Sequence, residues 1–202
     1  MSSCVIVGGP GGFVVSTDSI VYKYASDDQG KVIGKVKGST RKLFQVDPDI
    51  LVAGTGNWNS YFPIFNAAAA MQSPRDEKVA RLLEDSASQA KDSCVYVVHR
   101  AHGKLRLDAV RETVVSSNQP GVVSYPDPVI NQLFTALYES EPAKAIRRSG
   151  LLGIAALVNG FNSLAATMCS DIAAPFDTVL FLEDGIFPFT GGVTQLPVAT
   201  FI

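Results

Sequence analysis

Gly12-Phe13-Val14-Val15-Ser16-Thr17-Asp18-Ser19 decides how this chain is read, together with Arg41-Lys42-Leu43-Phe44-Gln45-Val46-Asp47 and Leu51-Val52-Ala53-Gly54 after it. The first stretch is an apolar run that ends in an acid. Cys4-Val5-Ile6-Val7 is a second such run, and Gly8-Gly9-Pro10-Gly11-Gly12 separates the two. Short apolar runs around a Gly/Pro cluster predict a β-hairpin. The glycine cluster could also suggest a phosphate cradle. It lacks the Lys-Ser/Thr ending of a P-loop and does not lead into a helix, so it reads as a turn. Residues 41–46 and 50–53 predict a strand pair around Asp47-Pro48-Asp49. Between them, residues 22–40 read as irregular strands about a turn at Asp27-Asp28-Gln29-Gly30.

The pattern then changes to helix. Ser60–Met71 ends in the alanines 67–70. Ser73-Pro74-Arg75-Asp76 offers a cap, a proline for the first helical position and an acid in the first turn. The helix it opens is expected to reach about Ala90 and to bury Val79, Leu82 and Leu83. Cys94–Val98 and Leu105–Val110 flank His102-Gly103 as a hairpin. Pro128–Glu139 predicts a third helix, and a fourth starts at Ala143 or Ser149 and runs to Met168. Thr178–Leu182 and Ile186–Phe189 close with a hairpin around Asp184-Gly185. Runs of strands alternating with helix pairs argue against a parallel βαβ sheet and for antiparallel sheets covered by helix layers. Residues 1–202 read as a single domain.

Hydrophobic residues make up 47% of the chain and charged residues 18%, which suggests surface hidden in an oligomer. A net charge of −2 gives no electrostatic case for nucleic acid or an anionic membrane. Cys4, Cys94 and Cys169 are widely spaced and odd in number, which suits a reducing cytoplasm rather than a disulfide framework. No apolar run approaches the roughly 20 residues of a membrane span, and no secretory signal is read.

The chemistry-bearing constellation is Met1-Ser2-Ser3 with Asp18 and Lys42. If Met1 is removed, Ser2 presents a hydroxyl beside a free α-amine. The hydroxyl can attack an amide carbonyl, and the amine can collect its proton. An α-amine with an ordinary pKa near 7.7–8.0 is partly neutral at cytoplasmic pH. A lysine nearby lowers the pKa of both groups. Strand alternation puts Lys42 on the face of Phe44 and Val46, so it is expected to be partly buried and to need Asp18 as its partner. His99 and His102 have no convincing metal spacing, and no cofactor is expected. Trp58, Tyr61 and Phe62 read as packing or a subunit contact. Cys4 as nucleophile would break the spacing to Asp18.

These residues resemble proteasome β-type subunits. Ser3–Val7 resembles the family's first strand, and Gly12–Ser19 its "G-V-V-L-A-A-D-S/R" second strand. Arg41–Asp47 resembles "K-K-L/I-F-Q/K-I-D", and Leu51–Gly54 the following "A-x-A-G". The likeness needs no gap between Ser2 and Asp18 and covers the first quarter of the chain; beyond it only the order of elements matches. It implies a four-layer α-β-β-α sandwich, α+β in class, and a peptide or other amide substrate. It also implies ring assembly, and it leaves an ATPase partner unidentified. It assigns Gly54 N–H to the oxyanion and Ser170 or Asp171 to supporting the nucleophile. Four features depart from the family. Serine stands in place of threonine, Ile20 in place of an arginine, and Cys169–Ala174 in place of "D-S-A-S-G". The family's "G-S-G" has only Ser116-Ser117 or Ser124 as counterparts. A divergent bacterial relative fits these departures. The reading is a hydrolase acting through Ser2, against a catalytically inactive scaffold or a small-molecule amidase on the same fold.

Overall fold

The computed structural model describes residues 3–29, 31–190 and 194–195. Alternation within its apolar runs builds the layers. In β1 (Cys4–Gly9) and β2 (Gly12–Thr17), Cys4, Ile6, Phe13 and Val15 point into a core between two sheets, while Val5 and Val14 point outward to helices. In β5 (Leu43–Asp47) and β6 (Ile50–Gly56), Leu43, Leu51 and Ala53 face that same inner core. Phe44, Ile50 and Val52 face a second pair of helices. Period-two patterning with both faces apolar is what a sheet buried on both sides requires.

One sheet has the order β10-β1-β2-β11-β12, with β10 at Gly121–Ser124, β11 at Asp177–Leu182 and β12 at Gly185–Thr190. The other has the order β13-β5-β6-β7-β8-β9. Its further strands are β7 (Ser93–Ala101), β8 (Lys104–Arg111), β9 (Val114–Ser116) and β13 (Thr194–Gln195), the last parallel to β5. Helices α1 (Trp58–Ala70) and α2 (Arg75–Gln89) cover the second sheet. Helices α3 (Pro128–Tyr138) and α5 (Leu151–Met168) cover the first, with α4 (Glu141–Arg147) between them. The result is the expected α-β-β-α sandwich.

Several local expectations are corrected. The segment read as irregular is an antiparallel hairpin, β3 (Ile20–Ser26) with β4 (Val32–Ser39), standing apart from both sheets and shifted in register only between Ala25 and Ser26. Pro74, not Ser73, is the residue before α2, and no side chain caps that helix. The second helical group has three members, because Gly150 at φ +83° separates α4 from α5. Helix α5 is long and apolar enough, by length and composition, to cross a membrane. Here its Ile154, Ala155, Val158, Phe161 and Ala165 pack on the sheet. Trp58 stacks on Phe62 at 4.4 Å, and Tyr61 lies in the α1–sheet core, so the aromatic cluster is packing. His102 and Gly103 take φ of 50° and 74°, as a tight hairpin turn demands.

Candidate active site

Asp18 follows β2 and Lys42 precedes β5, so the two come from different sheets at one end of the sandwich. Both are buried, at 1% and 0% exposure. Lys42 Nζ donates to Asp18 Oδ1 at 2.8 Å. The same oxygen accepts the Ser3 N–H at 2.9 Å, and Asp18 Oδ2 accepts the N–H of Ile20 at 3.3 Å. Lys42 lies outside the strand, so the alternation that was expected to orient it does not apply. Its burial comes from reaching across to Asp18. Loss of water pushes the Asp18 carboxyl up and the Lys42 ammonium down. Their mutual attraction, and for Asp18 the two backbone N–H bonds, oppose that shift without cancelling it.

Ser2 lies outside the described residues. The amide that follows it does not: Ser3 N–H is fixed on the carboxylate that holds Lys42. Gly54 N–H donates to the Lys42 carbonyl at 3.4 Å, a long bond that keeps Gly54 beside the pair. An added Cβ at Gly54 would sit 2.5 Å from the Tyr61 ring, so glycine is required there by the close approach of α1. Ser170 and Asp171 stand elsewhere. Asp171 Oδ1 accepts the Tyr22 hydroxyl, and the Ser170 carbonyl accepts Lys37 Nζ at 3.2 Å. Both belong to a turn docked on the β3–β4 hairpin, and among the described residues neither touches Lys42 or Asp18. The turn joins the Asp18 region through Ser19 N–H, which donates to the Ala173 carbonyl at 3.4 Å.

Of the serines left open by sequence, Ser124 is the one beside the N-terminal strand, paired with Cys4. Ser116 is on β9 in the other sheet. Ser117 is near Asp108, where Asn118 N–H donates to Asp108 Oδ1 at 2.8 Å and His99 Nε2 lies 2.8 Å from Oδ2. Cys4 is fully buried, and that burial pushes its thiol far up, out of the range of a nucleophile.

Sequence reasoning missed a chain of buried hydrogen bonds behind Ser124. The neighbouring Tyr125 hydroxyl donates to Asn162 Oδ1 at 2.6 Å, and Asn162 Nδ2 donates to Ser16 Oγ at 2.8 Å. Ser16 Oγ lies 2.7 Å from Thr178 Oγ1, which donates to Asn159 Oδ1 at 2.8 Å. Asn162 on α5 thus ties the segment after Ser124 to β2, which ends just before Asp18. No local motif signals this, because its members are scattered from residue 16 to residue 178.

No family model and no curated protein matches the chain. Among solved structures it is similar to the Gly-1 mutant of Anbu from Hyphomicrobium sp. strain MC1. The TM-score is 0.63 at 10% identity, over 96% of this chain and 89% of that one. At that identity the likeness is one of fold, in agreement with the four-layer sandwich described above.

Proposed function

We propose that the protein hydrolyses amide bonds, those of peptides, with Ser2 as nucleophile once Met1 has been removed. The α-amine of Ser2 serves as base. Lys42 lowers the pKa of the hydroxyl and the amine, and Asp18 holds Lys42 in place. Gly54 N–H, kept only by a long bond, is the candidate oxyanion donor. The observation that carries the reading is the shared Asp18 oxygen. It binds both Lys42 and the amide directly after Ser2, so the chain start is tethered to a buried lysine.

A surface serine would need no such tether, and a structural ion pair would not need to engage the N-terminus. Ser124, opposite Cys4, is the supporting serine that fits best. Asp171 and Ser170 would support the nucleophile only through the Ser19–Ala173 contact. The reading includes a cytoplasmic location and a homo-oligomer, the latter favoured by apolar side chains left exposed on α3 and α5.

Intact mass and covalent labelling test it together. The purified protein should lack one methionine and should take up one equivalent of a β-lactone or peptide boronate at Ser2. A uniform population that retains Met1, or that loses it and stays unlabelled, would favour the inactive scaffold.

A further inference from the structure

The two sheets part at the end that holds Asp18 and Lys42, and the gap between β6–β7 and the β10–α3 link is a cavity of about 300 Å³. Its wall includes Cys94, Tyr125 and Pro126, and its open side carries Asp92 and Glu112. Among the described residues neither carboxylate has an ion-pair partner. Thr55 also lines the cavity. It is 6% exposed, and its hydroxyl makes no hydrogen bond among the described residues. The hydroxyl is not fully enclosed and both acids are exposed, so the cavity presents one free hydroxyl and two hydrated carboxylates to whatever enters it. Two cations stand close in the chain, Lys91 beside Asp92 and Arg111 opposite Cys94 on β8, and neither lines the cavity.

We propose that this cavity is a substrate subsite for a basic side chain, the arginine or lysine of a peptide. The inference rests on the reading of Ser2 as nucleophile. An arginine or lysine has an apolar stem and a cationic head. The stem would lie along Cys94, Tyr125 and Pro126, and the head would reach the carboxylates and the Thr55 hydroxyl. The position suits a substrate, because Ser124 on the cavity wall pairs with Cys4 at the start of the N-terminal strand. An acidic side chain would be repelled by both carboxylates and an apolar one would pair with neither, so the site favours a cation over both.

The test separates charge from shape. Acetyl-arginine amide and acetyl-citrulline amide differ by a guanidinium against a neutral urea. NMR titration should show the arginine compound binding the full-length protein about tenfold more tightly, in line with a charge-assisted pair. Asp92→Asn and Glu112→Gln should each lower that preference, and the double variant, shown to be folded by circular dichroism, should remove it. Arg111→Gln should raise it. Equal binding of the two compounds, or an arginine preference untouched in the double variant, would overturn the proposal. Peptides carrying arginine or citrulline at each position in turn then tie the cavity to catalysis. A preference for arginine in kcat/KM that the double variant loses supports the subsite, and a preference for citrulline sinks it. Selective arginine binding with no hydrolysis of any peptide would end the hydrolase reading and leave the cavity's selectivity standing.

Discussion

At the scale of single residues, the Asp18–Lys42 pair sets the sharpest expectation. Lys42→Ala leaves a buried carboxylate without its cation, and breaking a buried pair from one side costs about 3–5 kcal/mol. Labelling of Ser2 should disappear in this variant even where circular dichroism shows a folded protein. Lys42→Arg should not restore it, since a planar guanidinium cannot replace a compact ammonium in a sealed site. A folded Lys42→Ala protein that has lost Met1 and labels at the wild-type rate would falsify the mechanism. A second residue carries a pH dependence. Burial raises the Asp108 carboxyl, but hydrogen bonds from His99 and from Asn118 N–H outweigh it, and the carboxyl ends below its ordinary value of 3.8. A carboxyl lowered on folding contributes stability that is full above the unfolded value and is lost as pH falls through the folded one. Denaturant midpoints should therefore drop as pH falls below about 3.8. Asp108→Asn should flatten that acid limb.

At the scale of elements, two contacts can be tested by packing. Gly54→Ala drives a methyl into the Tyr61 ring, which is held between α1 and the sheet. Overpacking of this kind costs about 1–3 kcal/mol, so the thermal midpoint should fall by several degrees. Tyr61→Leu in the same protein should recover part of the loss by making room. Asn162→Leu leaves the Tyr125 hydroxyl bare, at about 1–3 kcal/mol, and takes one of two partners from the Ser16 hydroxyl, which keeps Thr178. Tyr125→Phe removes one hydroxyl and keeps the ring, so it should cost less than Asn162→Leu, and the double variant should fall short of the sum. Equal costs and simple additivity would mean that the chain of bonds does not act as a unit.

Most element positions were legible, because apolar runs and Gly/Pro turns are local signals. Strands β9 and β10 were not, since Val114–Ser116 and Gly121–Ser124 are too short to show a period. The split between α4 and α5 hid behind a continuous helical pattern broken only at Gly150.

At the scale of the whole molecule, the outer helix layer leaves Val129, Leu133 and Leu137 exposed on α3. Leu152, Leu164 and Met168 are exposed on α5. Positions 129, 133 and 137 recur at helical spacing and form one stripe. Light scattering should give a mass well above 21.5 kDa. Leu133→Glu with Leu137→Glu should shift it toward the monomer without loss of helical signal. A clean monomer at micromolar concentration would remove the assembly part of the reading.

The sequence by itself determined that antiparallel sheets lie under helix pairs and placed the first hairpin, while the four-layer order followed from the resemblance to proteasome β-type subunits. It also singled out Asp18 and Lys42 as partners, through residue types and the unbroken spacing from Ser2. Patterning of this kind is local, and a chain must bury one face of each element whatever its neighbours are. Tertiary structure alone decided what lies beside the N-terminal strand. It selected Ser124 over Ser116 and Ser117, because strand order, not chain distance, sets which serine meets Cys4. It sent Ser170 and Asp171 to the β3–β4 hairpin, where Tyr22 and Lys37 supply their partners. It also opened a cavity between sheets whose walls come from residues 55 to 126. No sequence period encodes such contacts, since they arise only when two sheets pack and part at one end.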